Sequence, residues 1–167
     1  MPEQLHLPYI APPMERENTA PNRRSLIGKK GVMQSRALLQ DIGVTTIEAP
    51  ELEPYDFSAD IETKQNINFI IKVQVKAREI PGGSYSFKKG NGKPYSPGDF
   101  HINACGLLST RLCIFAAGIP TKTIRYNPQY FLNEEYCKSS WDAAVQIYLD
   151  TLTKQLNSNK ELTYVRH

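Results

Sequence analysis

The chain has 167 residues, of which 20 are Lys or Arg and 17 are Asp or Glu, and its formal net charge at pH 7 is +3. This length suits a single domain with one core. The weak positive charge excludes binding of nucleic acid through bulk charge alone, so any such affinity requires a local basic patch. No apolar run reaches the length of a membrane span, and no membrane partner is predicted.

The three cysteines, Cys105, Cys113 and Cys137, do not have the spacing of zinc ligands. Their odd number does not suit a disulfide-linked secreted domain either, which favours reduced thiols. Prolines interrupt the short apolar stretch near the N-terminus, so that it lacks the pattern of a signal peptide. These observations predict a cytoplasmic protein.

The first 22 residues contain five prolines and little periodicity. This composition is typical of an extended arm or a floppy terminus, and an arm that embraces a second copy or tracks along DNA is the alternative. The predicted organisation is therefore a proline-rich N-terminal arm over residues 1–22 and a single α/β domain over residues 23–167.

The next elements are predicted from apolar periodicity. Residues 24–42 have apolar side chains at helical spacing, and Gly43 ends this helix. Residues 43–50 are predicted to form a short strand. Residues 55–62 alternate apolar and polar side chains and residues 68–79 are strongly apolar, so these two segments are predicted to pair as a β-hairpin.

The second half of the chain is predicted to alternate helices and strands. A Gly- and Pro-rich loop leads into a short helix over residues 101–110, a buried strand over residues 111–119 and an extended or edge strand over residues 121–132. An amphipathic helix follows over residues 139–157. The predicted fold class is α/β, with a mixed central sheet flanked by helices.

The predicted hairpin brings three polar residues together. A three-residue loop over residues 64–66, which ends in an asparagine suited to a left-handed position, sets the register. In that register Gln74 lies opposite Asp56, with Cβ atoms about 4.5–5.5 Å apart. Lys76 follows two residues later on the same face of its strand. Asp56, Gln74 and Lys76 are therefore predicted to converge at one end of the hairpin.

These three side chains suit the hydrolysis of a phosphodiester. A carboxylate and an amide oxygen can bind a hard cation such as Mg²⁺, with water and phosphate oxygens completing its coordination. A nearby lysine can orient an attacking water or stabilise charge that builds on a phosphate. The alternative is an exposed sheet face with solvated polar residues, but the neighbouring run is too apolar for a freely exposed edge strand.

The sequence "PYD" at residues 54–56, followed by "VQVK" at residues 73–76, resembles the motif of the PD-(D/E)XK nuclease superfamily. The resemblance assigns Asp56 to the metal-binding aspartate and Lys76 to the motif lysine. Gln74 replaces the acidic residue that the motif usually has. This glutamine variant is similar to small restriction-like or intron-encoded homing endonucleases.

By element order the resemblance covers residues 24–120, and it implies a restriction-endonuclease-like αβββαβ core. It also implies a DNA endonuclease in which Mg²⁺, or Mn²⁺ in its place, activates a water for in-line attack on a phosphodiester. Besides the side chains of Asp56 and Gln74, the carbonyl of Val75 would help to hold the ion. The first helix lacks the glutamate that often completes the metal shell in this family, so Gln34 and Asp60 are secondary candidates.

The Gly- and Pro-rich loop and the end of the strand before it are predicted to contact double-stranded DNA. Four basic side chains there can neutralise phosphates, namely Arg78, Lys88, Lys89 and Lys93. Three aromatic side chains offer surfaces for stacking or packing, namely Tyr85, Phe87 and Tyr95. A solvated loop without a ligand is the alternative. Cleavage of both strands by so short a chain would require a homodimer or a higher homo-oligomer.

A second class of function is open at this stage. The same fold could serve as a non-catalytic nucleic-acid-binding module whose metal site is degraded by its glutamines. A third possibility is a structural subunit of a larger assembly that uses the proline-rich arm as a tether. Cleavage that depends on Asp56 and Lys76 separates the enzyme from both of these alternatives.

Overall fold

The structure is a computed structural model that describes residues 22–156 and 161–166. The predicted N-terminal arm lies outside the described residues except for its last residue, Asn22. The elements in chain order are α1 (Arg23–Asp41), β1 (Thr46–Glu48), β2 (Phe57–Thr63), β3 (Asn68–Arg78), β4 (Ile102–Leu107), β5 (Leu112–Ala117), a 3-10 helix (Pro128–Leu132), α2 (Glu134–Gln155) and β6 (Tyr164–Val165).

The described strands form one mixed six-stranded sheet. Its order is β1-β2-β3-β4-β5, and β6 pairs with β2. The pairing of β3 with β4 is parallel, and the other pairings are antiparallel. The predicted fold class, a mixed central sheet flanked by helices, is confirmed. No helix within the described residues is long and apolar enough to cross a membrane.

The β2–β3 hairpin has the predicted register. Asn66 occupies the left-handed region with φ of 57°, and the Thr63 N–H donates to the Ile67 carbonyl at 2.9 Å. The ladder then runs back to its last pair, Phe57 with Val73. The side chains of β2 that point to the core are buried at alternate positions, as its sequence pattern indicates.

The prediction of a helix over residues 101–110 is wrong, because this segment contains β4. All six residues of β4 are buried, since the strand lies between β3 and β5 and both of its faces are covered. A strand in such a position has a continuous apolar run without a period of two, which cannot be told from a short buried helix by periodicity. The element order therefore differs from the predicted αβββαβ core at this position.

The segment predicted as an extended or edge strand over residues 121–132 is only partly extended. It makes one isolated bridge, between Ile124 and Tyr85, and then turns into the 3-10 helix. The helix predicted over residues 139–157 starts earlier, at Glu134. Its start is set by Asn133, whose side chain accepts a hydrogen bond from the backbone of the first turn.

Both helices pack on the same face of the sheet. The register places Val75, Ala104 and Phe115 side by side on that face. Gly31 of α1 lies against Val75, and the Trp141 ring of α2 meets the Phe115 ring edge-on at 5.4 Å between centroids. The side chains at the alternate positions of β3, which include Gln74 and Lys76, therefore point to the other face.

Candidate active site

The candidate site lies just before the first residue of β2, beside the part of β3 that has no partner in β2. The β2–β3 ladder ends at Val73, whereas β3 runs on to Arg78. Asp56 lies directly before β2, and its backbone N–H donates to the Val73 carbonyl at 2.9 Å. Its carboxylate accepts the Val75 N–H at 2.7 Å. The aspartate side chain thus takes the place of a strand partner at this free edge of β3.

A cavity of about 600 Å³ opens along this edge. One wall is the first part of α1, with Arg24 and Gly28. The floor is Asp56 together with residues 74–80, and residues 84–86 of the loop after β3 form the opposite wall. The cavity therefore holds Asp56 and both predicted motif side chains of β3.

Gln74 is almost completely buried, with 7% of its surface exposed. Its amide nitrogen donates a long hydrogen bond of 3.4 Å to the Val75 carbonyl. On the neighbouring strand, Asn103 pairs with Gln74 in register and is 2% exposed. Two neutral amide side chains therefore lie next to each other on the same face of the sheet, and only Gln74 lines the cavity.

Burial and charge act in opposite directions on the two ionisable groups of the site. Burial raises the pKa of Asp56, while the hydrogen bond from the Val75 N–H and the charge of Lys76 lower it. Burial lowers the pKa of Lys76, while the negative charge of Asp56 raises it. Each group therefore helps to keep the other ionised, and loss of Lys76 would move the pKa of Asp56 further upward.

Tyr95 contacts the lysine of this site, which the sequence did not indicate. The ammonium groups of Lys76 and Lys89 each lie 5.9 Å from the centroid of its ring, and the Phe100 ring meets it edge-on at 4.9 Å. Burial raises the pKa of Tyr95 to about 12, and the negative charge of Asp56 adds to this effect. Tyr95 thus places the loop over the site and holds the ammonium group of Lys76 against an aromatic face.

Tyr85 and Phe87, the other two aromatic residues predicted to offer surfaces for stacking or packing, do not offer a stacking surface. Tyr85 and Phe87 are 4% and 5% exposed. The Tyr85 hydroxyl donates to the Gly106 carbonyl at 3.0 Å. Both rings pack onto the sheet and hold the loop there. Their role is therefore packing and not stacking on a ligand.

The predicted DNA-binding residues have different environments. Arg78 lines the cavity. Lys89 forms an ion pair with Asp99, with 3.0 Å between the charged atoms. Lys88 and Lys93 are exposed and lie in a tight turn that extends from the loop. A phosphate could approach Lys88 and Lys93 without breaking an ion pair, whereas Lys89 would have to leave its carboxylate.

The two secondary candidates are not brought to the site. Asp60 is exposed and lies four residues along β2, where it borders a different cavity. Gln34 borders a separate cavity of about 360 Å³. Its amide nitrogen donates to the Leu112 carbonyl at 2.8 Å, so Gln34 joins α1 to β5. Neither side chain lines the cavity of Asp56.

The oxygen donors of the cavity fit a hard cation. Three of them are the Asp56 carboxylate, the amide oxygen of Gln74 and the Val75 carbonyl, and Mg²⁺ and Mn²⁺ prefer such ligands. Of these three ligands only Asp56 carries a charge, and the other carboxylate that lines the cavity, that of Glu79, forms an ion pair with Arg23. The described part of the chain has no group of three His, Cys, Asp or Glu side chains that could hold a metal ion. Phosphate oxygens of a bound nucleic acid would supply the additional negative charge.

The fold and the site define a mixed α/β protein with an oxygen-donor cavity and a lysine at one edge of its sheet. Comparisons of the sequence with protein-family profiles and with curated proteins find no match. Among solved structures, the chain is similar to a bacterial homing endonuclease, I-Ssp6803I, with a TM-score of 0.45 and 16% identity, covering 75% of this chain and 99% of that chain. A likeness at this level does not define an activity, so the chemistry of the cavity has to support one.

Proposed function

We propose that this protein is a metal-dependent DNA endonuclease of the PD-(D/E)XK type, which hydrolyses phosphodiester bonds in duplex DNA. The observation that carries the proposal is that Asp56, Gln74 and Lys76 line one cavity at the free edge of β3. A carboxylate and an ammonium group whose pKa values are both displaced by burial, and which stabilise each other's charge, are typical of a functional site.

Each residue of the site has its own role. Asp56, the Gln74 amide oxygen and the Val75 carbonyl would hold Mg²⁺ or Mn²⁺. When bound, the ion supplies Lewis acidity to a phosphate oxygen and to water. Lys76, which is held against the Tyr95 ring, places a positive charge beside the phosphate and stabilises the charge that builds there in the transition state.

The charges around the cavity support a nucleic-acid substrate. Arg24 and Arg78 line the cavity, and Lys88 and Lys93 are exposed on the loop that covers it. The spread of these positive charges suits a polyanion better than a small phosphate ester. Cleavage of both strands of a duplex then requires two sites, which a homodimer or a higher homo-oligomer would supply.

The proposal is tested with supercoiled plasmid and Mg²⁺ or Mn²⁺. We expect Asp56→Asn and Lys76→Met to lower the rate of nicking by at least about 100-fold, because each removes a charge that acts on the transition state. Asp56→Asn retains an oxygen that can accept the Val75 N–H, so the fold is preserved. Asp60→Asn is the matched control, since it removes a carboxylate from the same hairpin outside the cavity, and it should cleave like the wild type.

The proposed ligand set has one carboxylate, that of Asp56, and this low charge favours two other candidates, a non-catalytic nucleic-acid-binding module and an assembly subunit. Binding of DNA without cleavage by the wild type would support the module. Equal nicking by the wild type, Asp56→Asn and Lys76→Met would indicate a contaminating nuclease and remove the catalytic assignment. If the wild type neither binds nor cleaves duplex, single-stranded or branched DNA, the assembly subunit is favoured.

A further inference from the structure

Asn103 carries a buried oxygen that has no partner. Its side chain is 2% exposed, and among the described residues its Oδ1 makes no hydrogen bond. Its Nδ2 donates to the Gly118 carbonyl at 2.9 Å. This bond determines which end of the amide is nitrogen, so Oδ1 cannot exchange places with Nδ2. An acceptor left unpaired in the interior costs free energy and requires a donor.

The nearest polar side chain in register is that of Gln74. Gln74 and Asn103 are paired positions of the parallel β3 and β4, where neighbouring strands are about 4.8 Å apart and paired side chains point to the same face. Gln74 has two N–H donors on its amide nitrogen. Among the residues that the structure describes, that nitrogen forms only one hydrogen bond, the long one to the Val75 carbonyl.

That long hydrogen bond conflicts with cation binding. Under the proposed function, the Val75 carbonyl and the Gln74 amide oxygen are both ligands of the ion, so the amide nitrogen of Gln74 has to leave the carbonyl and turn away. A glutamine amide has an oxygen on one side and a nitrogen on the other, and it binds a cation only if its nitrogen is held elsewhere. A glutamate has two equivalent oxygens and no such requirement.

We propose that Asn103 is a positioning residue for Gln74: its Oδ1 accepts the Gln74 amide nitrogen and thereby turns the Gln74 oxygen toward Asp56 and the cation. The inference rests on the proposed function and deepens it, because it explains how a neutral glutamine can serve at a position where charge is usual. It also gives the unpartnered oxygen of Asn103 a donor. The residue does not itself contact the ion.

The test is a double-mutant cycle read by cation binding. Mg²⁺ is titrated into the full-length protein bound to a short duplex with non-hydrolysable linkages, and binding is followed through the side-chain amide resonances of ¹⁵N-glutamine and by calorimetry. We expect Asn103→Leu to weaken Mg²⁺ binding at least about 10-fold. In a Gln74→Glu background no amide has to be oriented, so Asn103→Leu should change the Mg²⁺ affinity by less than about threefold. Calorimetry measures the affinity in that background.

Asn103→Asp is the second variant, because it has a similar shape and, buried as a neutral acid, can donate to the Gly118 carbonyl with its O–H and accept the Gln74 amide with its other oxygen. It should bind Mg²⁺ at least as well as the wild type even if Asn103→Leu folds poorly, and a loss as large as that of Asn103→Leu would overturn the inference. Equal losses from Asn103→Leu in the wild-type and Gln74→Glu backgrounds would also overturn it, since they indicate a purely structural role. No Mg²⁺ binding by either background would instead remove the proposed metal site, and the inference with it.

Discussion

At the scale of single residues, Asp56 has a structural role as well as a chemical one. Its carboxylate accepts the Val75 N–H at 2.7 Å and so completes the edge of β3. The same contact holds the carboxylate beside the Val75 carbonyl and Gln74. Because the backbone itself positions the side chain, the placement of the proposed ligand depends on the hairpin register and not on a flexible loop.

His101 gives a prediction about stability and pH. Its Nδ1 accepts the Lys72 N–H at 3.1 Å, and its ring stacks on Tyr148. Burial lowers its pKa below 6.5, and the charge of Lys72 adds to this effect. The unfolded chain therefore binds a proton more readily than the folded protein, so the free energy of unfolding should decrease as the pH falls below about 6.5, by at most about 1.4 kcal/mol per pH unit.

Urea unfolding between pH 7.5 and 5 measures this effect. His101→Asn is the matched variant, because its side-chain oxygen can accept the same backbone N–H but does not titrate. We expect the wild type to lose more stability than His101→Asn over this range, even if the variant is less stable at every pH. Parallel pH profiles for the two proteins would show that His101 does not contribute.

The sequence predicted some site residues and not others for a physical reason. Asp56, Gln74 and Lys76 belong to one hairpin, whose register follows from a short turn and from alternation along the strands. Asn103 lies beside Gln74 because of a parallel pairing, and Tyr95 contacts Lys76 because of a long loop. Neither contact is local in sequence, and no pattern in a single sequence indicates it.

At the scale of elements, the site forms because β2 is shorter than β3 and pairs with it only as far as Val73. Residues beyond Val73 then have a free edge, and the start of α1 closes the cavity over it. The hairpin and both flanking helices were predictable from periodicity. The strand β4 was not, because burial of all six of its residues removes the alternation that identifies a strand.

Two glycines of α1 provide a test of how the helix packs on the sheet. A Cβ at Gly31 would overlap the Cβ of Ala77, whereas a Cβ at Gly28 would meet nothing within 4 Å. We expect Gly31→Ala to lower the free energy of unfolding by about 1–3 kcal/mol, because α1 must shift away from β3. Gly28→Ala should raise it by about 0.5–1 kcal/mol, since alanine is the better helix former.

Urea unfolding of the two variants and the wild type at one pH gives both values. Each substitution adds one methyl group to the same helix, so the helix propensity gained is the same and the difference between the variants reports the contact with Ala77. Equal stabilisation by both substitutions would mean that α1 does not lie against β3 at Gly31.

At the scale of the whole molecule, the net charge is only +3, so the proposed binding of DNA depends on where individual basic side chains lie. The turn that carries Lys88 and Lys93 is linked to the site, since Tyr95 follows it directly and contacts Lys76. A duplex whose phosphate reaches Lys76 would therefore pass close to this turn. Lys64 lies in the β2–β3 turn, at the end of the hairpin remote from Asp56.

The dependence of DNA binding on salt tests this arrangement. Each lysine that contacts a phosphate contributes about 0.9 to the slope of log K against log salt concentration, because it releases condensed counterions. We expect Lys88→Ala and Lys93→Ala each to weaken binding of a duplex and to reduce that slope by about 1. Lys64→Ala removes the same charge from the chain and should leave the slope unchanged. Equal effects of all three substitutions would mean that DNA responds to the net charge of the molecule, and the proposal that the loop contacts DNA would be wrong.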